Sequence, residues 1–158
     1  MRVTCIILAR GGSKGIPKKN IINFCGKPLI AWTIIQALAT KEVSDVWVSS
    51  DSQEILEISK QYGAKSIVRP DEISGDTESS ESAWLHAINY IEGQEKARNI
   101  EYILAPQVTS PLRNSIDFSN AIKQILIEDS DSLLSVVEIE DFFIWKESGK
   151  NIPESVNY

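Results

Sequence analysis

The stretch Val3-Thr4-Cys5-Ile6-Ile7-Leu8-Ala9, followed at once by Arg10-Gly11-Gly12-Ser13-Lys14-Gly15-Ile16-Pro17-Lys18-Lys19-Asn20, decides the fold. The first part is a β-branched apolar run, too short to span a bilayer. It leads into Arg10-Gly11-Gly12 and not into a small-residue cleavage site, so it reads as a strand and neither an anchor nor an export signal. The second part concentrates glycine, one hydroxyl and cations in a loop that directly follows that strand.

Working outward, four more strand-like runs follow, at Asp45 to Ser49, Ser66 to Val68, Tyr102 to Leu104 and Ser132 to Val137. Helical patterns lie between them. Pro28 opens a segment in which Leu29, Ile30, Trp32, Ile34, Ile35 and Leu38 cover so much circumference that a central, buried helix is expected. Asp51 is placed to cap a helix carrying Ile55, Leu56 and Ile58, with Glu54 completing a capping box and Gly63 near its stop. Ser79 and Ser80 lead into Ala83, Trp84, Ala87, Ile88 and Ile91, whose spacing puts them on one face. Residues Ser115 to Glu128 repeat the pattern through Ile116, Ile122, Ile125 and Leu126. Strands alternating with helices predict an α/β fold, a doubly wound and mainly parallel open sheet of Rossmann type. Such sheets bind ligands beyond the carboxyl ends of their strands, which directs attention to residues 10–23, 50–51, 69–80 and 105–113.

The 158 residues amount to one domain, and 42% hydrophobic with 24% charged content places the chain among soluble globular proteins. Cys5 and Cys25 lack CxxC or zinc spacing and read as reduced thiols of a cytoplasmic protein. A net charge of −6 argues against a general nucleic-acid binder, and no run is long enough for membrane insertion. The charge is uneven, because residues 1–41 carry seven bases and no acid while the remainder carries −13. That asymmetry suggests one concentrated anion site, the alternative being chance placement on a solvated face.

Each residue type in the first loop suits a polyphosphate. Gly11, Gly12 and Gly15 let the backbone approach closely and expose amide donors. Arg10 offers a planar fork of donors, Lys14, Lys18 and Lys19 offer point charges, and Pro17 stiffens the loop. Neither the G-x-x-x-x-G-K-[ST] phosphate loop nor the G-x-G-x-x-G dinucleotide fingerprint is present. The alternative is a plain turn solvated by lysines.

This loop resembles the A-R-G-G-S-K-G-[IL]-P-x-K-N signature of the acylneuraminate cytidylyltransferases, the CMP-sialic acid synthetases. Gly26-Lys27-Pro28-Leu29-Ile30-Ala31, Val48-Ser49-Ser50-Asp51, Arg69-Pro70 with Asp76-Thr77-Glu78-Ser79-Ser80, and Gln107-Val108-Thr109-Ser110-Pro111-Leu112-Arg113 resemble four further family segments in the same order. Val108 stands where the family commonly has proline. Gly15-Ile16-Pro17 is closer to the sialic acid branch than to the CMP-Kdo synthetases, and the sugar within that branch stays open.

The resemblance implies transfer of CMP from CTP to the anomeric hydroxyl of an acidic nine-carbon keto-sugar, with release of pyrophosphate and help from magnesium. It implies that Arg10 and Lys19 are catalytic and hold the triphosphate, with Gly11, Gly12, Ser13, Lys14 and Asn20 completing the cradle. Arg69 and Ser80 match cytidine contacts, the alternatives being a surface ion pair and a helix cap. Gln107, Thr109 and Ser110 match the loop beside the acceptor sugar, the alternative being a simple turn. Asp51 reads as a cap ahead of a metal ligand, and His86 has no evident catalytic partner. The cluster Glu138, Glu140 and Asp141 reads as solvated.

The family's chains continue further and there supply an acidic magnesium pair and much of a homodimer contact. This chain therefore reads as a single nucleotidyltransferase domain lacking that segment, with a core over 1–141 and a tail over 142–158. Phe142, Phe143, Ile144 and Trp145 in the tail are expected to form an exposed apolar patch. Three functions are compatible: an active cytidylyltransferase, a CTP-binding module without turnover, and a nucleotidyltransferase acting on a sugar 1-phosphate.

Overall fold

A computed structural model of the chain describes residues 2–13, 15–75, 78–94, 99–136, 145–147 and 153–155. Its centre is β1 (Val3–Leu8), whose residues Val3 to Ile7 are all buried. One edge of β1 pairs in parallel with β4 (Val43–Ser50), placing Cys5 opposite Val46 and Ile7 opposite Val48, and the other edge pairs in parallel with β6 (Tyr102–Leu104). β5 (Lys65–Val68) adds to the far side of β4, giving the order β5-β4-β1-β6. Between them in sequence, β2 (Asn23–Phe24) and β3 (Lys27–Pro28) form a small antiparallel ladder.

The period of two along a strand divides the core into two layers. Cys5, Ile7 and Ala9 of the β1 run, with Val46 and Val48, meet Leu29, Ile30 and Ile34 of α1 (Leu29–Leu38), Ile55 and Leu56 of α2 (Gln53–Gln61), and Phe118 of α4 (Ser115–Glu128). Ile6, Trp47 and Ile67 face the opposite way, against Ala87 and Ile91 of α3 (Ser80–Gln94). Helices thus cover both faces, as the doubly wound expectation requires. Numbered by position in the chain, the sheet reads third, second, first, fourth, so strand order reverses at β1.

Local sequence accounts for most element ends. Gly63, at φ +93°, closes α2, with Gly63 N–H donating to Lys60 O at 3.0 Å and Ala64 N–H to Ser59 O at 3.0 Å. That pair of bonds is the left-handed glycine stop common at helix ends. Asn114 caps α4 by accepting from Ile116 and Asp117 N–H, while Asp117 accepts from Asn114 N–H, a reciprocal box.

Several sequence expectations are corrected. Residues 132–136 form no strand, and Leu134 and Val136 are each 83% exposed. Apolar composition is not enough there, because a strand exists only through a paired neighbour, and β6 pairs only with β1 among the described residues. Val137 lies outside them. α1 is not buried all round, since Ile35 and Leu38 are exposed while Leu29, Ile30, Ala31, Thr33, Ile34 and Ala37 are buried. In α4, Ile116 is exposed and Phe118 takes the inward place. The tail contains an antiparallel ladder, β7 (Trp145–Glu147) with β8 (Pro153–Ser155). Phe142, Phe143 and Ile144 fall outside the described residues, as does the side chain of Trp145. No helix among the described residues is long and apolar enough to cross a membrane.

Because Ile6 and Ile7 face opposite core layers and are fully buried, Ile6→Ala and Ile7→Ala should each lower the unfolding free energy by about 2–5 kcal/mol. Urea unfolding checks this. A negligible loss at either position would mean that one face of β1 is not packed.

Candidate functional site

The carboxyl ends of β1, β4, β5 and β6 converge on four loops, and β1 sets their geometry. Ala9 N–H donates to Ser49 O at 3.0 Å, so the ladder carries the chain one residue past β1 before the loop begins. Gly11 N–H then donates to Asp51 Oδ1 at 2.8 Å, crossing to the end of β4. A Cβ at Gly11 would lie 2.9 Å from Ser52 Cβ, so close approach requires glycine here. Gly12 beyond it is exposed and Ser13 half-exposed. The loop and the first turn of α2 enclose a cavity of about 230 Å³ lined by Arg10, Gly11, Lys18, Ile21, Ser52, Glu54 and Ile55.

Asn20 does not sit on the surface of the cradle. It is buried, and its Nδ2 donates to Arg10 O at 2.9 Å, bracing the loop from within. Lys18, at φ 52°, turns the chain into a 3-10 turn over Lys19–Ile21, and its ammonium meets Glu54 Oε2 at 2.7 Å. Lys19 is half-exposed at the loop, and Lys14 lies outside the described residues. The seven bases of residues 1–41 are therefore not one anion site. Arg2 is buried against Asp45 at 2.8 Å at the amino end of the sheet, and Lys27 lies over the Trp32 ring.

Asp51 does not cap α2, correcting the expected capping box. The cap position is Ser52, which makes no side-chain capping bond, while Glu54 is taken up by Lys18. The Asp51 carboxylate instead holds Gly11 and lies 3.7 Å from Arg69 Nη2. Arg69 follows β5 and is buried, so the surface ion pair weighed for it is replaced by an internal one. Its Nε donates to Ser74 Oγ at 3.1 Å. Burial pushes the Arg69 pKa down, Asp51 raises it, and Arg10 lowers it further. Arg10 also reaches the loop after β5, its Nη1 donating to Gly75 O at 3.3 Å. Ser80 is exposed as the first residue of α3, and the capping contact comes from Ser79, whose Oγ accepts from Ser82 N–H at 3.3 Å.

After β6, Gln107, Thr109 and Ser110 are exposed while Val108 is buried in the core beside Phe118. The residue that shapes this loop is Arg113, which in the sequence is only the last residue of the Gln107–Arg113 motif. Its Nη2 donates to Thr33 Oγ1 at 2.9 Å and Gln107 O at 3.0 Å, its Nη1 donates to Ser110 O, and its guanidinium lies 5.0 Å from the Phe118 ring centroid. Gln36 Nε2 adds a bond to Pro111 O at 2.9 Å. An arginine ending a polar loop just before a capped helix was the available signal; its carbonyl partners belong to the folded loop. Burial lowers the Arg113 pKa, opposed by its interaction with Cys5, and burial drives the Cys5 thiol pKa far above its ordinary value.

Among the described residues no three His, Cys, Asp or Glu side chains gather, and Asp51 Oδ1 is engaged by Gly11, so a magnesium ion there would depend on single carboxylates and the substrate's own phosphates. Glu138, Glu140 and Asp141 lie outside those residues.

Comparison with known proteins sets this geometry in context. The cytidylyltransferase family model matches residues 4–146. A pseudaminic acid cytidylyltransferase of Campylobacter jejuni is 39% identical over 141 residues, covering 89% of this chain and 60% of the relative. N-acylneuraminate cytidylyltransferase A of Danio rerio is 39% identical over 148 residues, covering 94% of this chain and 33% of the relative. The chain thus spans about 60% or less of the length of these relatives. Among solved structures, a CMP:2-keto-3-deoxy-manno-octonic acid synthetase complexed with CTP superposes with TM-score 0.67 at 21% identity, over 82% of this chain and 49% of that one. A 4-diphosphocytidyl-2C-methyl-D-erythritol synthase gives TM-score 0.71 at 11% identity, over 98% and 68%. These two show the fold.

Two measurements follow from the loop after β6 and the thiol beneath it. Thiol titration of the folded chain should count one reactive cysteine, exposed Cys25, with Cys5 reacting only in denaturant. Arg113→Ala should cost about 2 kcal/mol in unfolding free energy and open residues 105–112 to protease; an unchanged digestion pattern would show that Arg113 does not hold the loop.

Proposed function

The chain belongs to the cytidylyltransferase family, and from that premise we propose that it transfers CMP from CTP to the anomeric hydroxyl of a nonulosonic acid, releasing pyrophosphate. The observation that carries this reading is the Arg10–Asn20 loop, drawn onto the end of β4 through Gly11 and Asp51, with Arg10 and Arg69 beside it. A site with backbone amides and two guanidinium groups at the crevice beyond β1 suits a nucleoside triphosphate.

In this reaction the anomeric hydroxyl gives its proton to solvent as its oxygen attacks the α-phosphorus, the bond to the bridging oxygen breaks, and pyrophosphate leaves with its charge. Arg10 and Lys19, with the Gly12 amide, the Ser13 hydroxyl and Lys14, would stabilise that charge, while the Gly11 amide stays with Asp51; phosphoryl transfer depends mainly on such positioning and electrostatics. Asn20 contributes by holding the Arg10 carbonyl, and so the loop, in place. Arg69 supplies donors to the cytidine while its charge, coupled to that of Arg10, also adds to the field at the triphosphate, and Ser80 supplies a hydroxyl to the ribose. Gln107, Thr109 and Ser110, exposed on a loop tied down by Arg113, offer neutral hydrogen-bonding groups to a polyol carboxylate. Similar identity to pseudaminic and N-acylneuraminate cytidylyltransferases supports the nonulosonic class without selecting one sugar. Magnesium dependence, a cytoplasmic location and a homodimer belong to the same proposal.

The test is pyrophosphate release from CTP with N-acetylneuraminate and with pseudaminic acid as acceptors, beside calorimetric titration of CTP, UTP, GTP and ATP. CTP is expected to bind in preference to the others, with release on one acceptor. Lys19→Ala should lose about 3 kcal/mol of transition-state stabilisation, about a hundredfold in rate. A Lys19→Ala chain that binds and turns over CTP like its parent would remove Lys19 from the triphosphate site. CTP binding without release on either sugar would leave a nucleotide-binding module. Preference for another nucleotide with a sugar 1-phosphate would point to the wider nucleotidyltransferase group.

A further inference from the structure

A carboxylate at the centre of an anion site is, on charge alone, misplaced. Asp51 stands where the loop after β1 meets the end of β4, and simple electrostatics says that it repels a triphosphate. Yet its side chain is only 22% exposed, and Oδ1 both accepts the Gly11 N–H at 2.8 Å and lies 3.7 Å from the Nη2 of buried Arg69. Gly11 is pressed so tightly against the Asp51-Ser52 turn that no side chain fits it. Arg69 has a second cation, Arg10, acting on it, and that guanidinium reaches over to Gly75 O. A buried guanidinium beside a second cation needs a fixed counter-charge to stay in place, and Asp51 is the carboxylate set next to Arg69. Neither expected role for Asp51 accounts for this arrangement, because Ser52 holds the cap position and the engaged Oδ1 belongs to no metal-binding cluster among the described residues.

We propose that Asp51 is a positioning residue, an internal counter-ion that seats the loop after β1 through Gly11 and aims Arg69, so that its negative charge strengthens binding of a triphosphate. Its action runs through Gly11 and Arg69, with no contact to the ligand required. The proposal rests on reading the Arg10–Asn20 loop as a triphosphate cradle, and it makes a prediction opposite in sign to charge counting. Deleting a negative charge from an anion site should tighten binding if charge alone mattered, whereas here it should weaken it.

The experiment titrates the full chain and its Asp51→Asn and Asp51→Ala variants by calorimetry, with CTP and separately with inorganic triphosphate. It is run at one ionic strength, with chelator and again with magnesium, beside thermal melts. Asparagine keeps an oxygen for the Gly11 N–H and loses the charge that faces Arg69; alanine loses both. Affinity for both probes should fall about tenfold in Asp51→Asn and further in Asp51→Ala, with the Asp51→Asn melting temperature near that of the parent. Either folded variant binding inorganic triphosphate as tightly as the parent, or more tightly, would overturn the proposal. So would a loss seen only with magnesium present, which would make Asp51 a metal ligand. If Asp51→Ala does not fold, Asp51→Asn decides. Should the parent bind inorganic triphosphate without favouring CTP, the nucleotide reading fails while the triphosphate arm still judges Asp51. A parent that binds neither probe overturns both.

Discussion

β1 is paired on both edges and covered on both faces, and that double constraint organises the rest of the chain. With β4 on one side and β6 on the other, its backbone groups are satisfied by the ladder, and its alternating side chains separate the α1, α2 and α4 layer from the α3 layer. A strand held in this way ends at a defined place. The chain leaving it must emerge at the carboxyl edge, where the strand order reverses, and there the loops after β4, β5 and β6 also arrive.

The electrostatics of that edge are those of a compensated crevice more than of a basic surface. Of the bases crowded into the first part of the chain, Arg2 is spent on Asp45 at the opposite end and Lys18 on Glu54, while Arg10 faces the loop after β5. The arginine opposite, Arg69, comes from the acid-rich remainder of the sequence. Asp51 holds the two halves together, and its bond to the Gly11 amide couples loop shape to the balance of charge. On the other side of β1, Arg113 does the corresponding work for the loop after β6 by gathering the carbonyls of Gln107 and Ser110 against Thr33. Both devices use a long-range polar contact to hold backbone that has no ladder of its own.

Much of this was legible beforehand. Among the described residues, the four strands of the parallel sheet, the four α-helices and the loops that meet at the crevice follow from apolar periodicity and from glycine, proline and serine punctuation, which are local signals. The failures concern partners, some distant and some local. Ser132 to Val137 has a strand's composition and, through residue 136, no strand's partner. Asp51 and Glu54 have the spacing of a capping box, but partners far away in sequence, Gly11 and Lys18, outcompete the local bonds. Asn20 belongs to the loop motif, yet its amide turns inward to Arg10 O. Ser80 yields the cap to its neighbour Ser79.

The sequence by itself determined the fold class, the place of the site and the residue types gathered there, because strand and helix periods and a glycine-rich basic loop are encoded within a few residues of each other. Only the tertiary structure decided which side chains face the crevice and which brace it. For Asp51 and Glu54 that choice is made by competition between the local bonds of a helix cap and distant partners, Gly11 and Lys18. The distant partner enters that competition only when β1 brings the strand ends together.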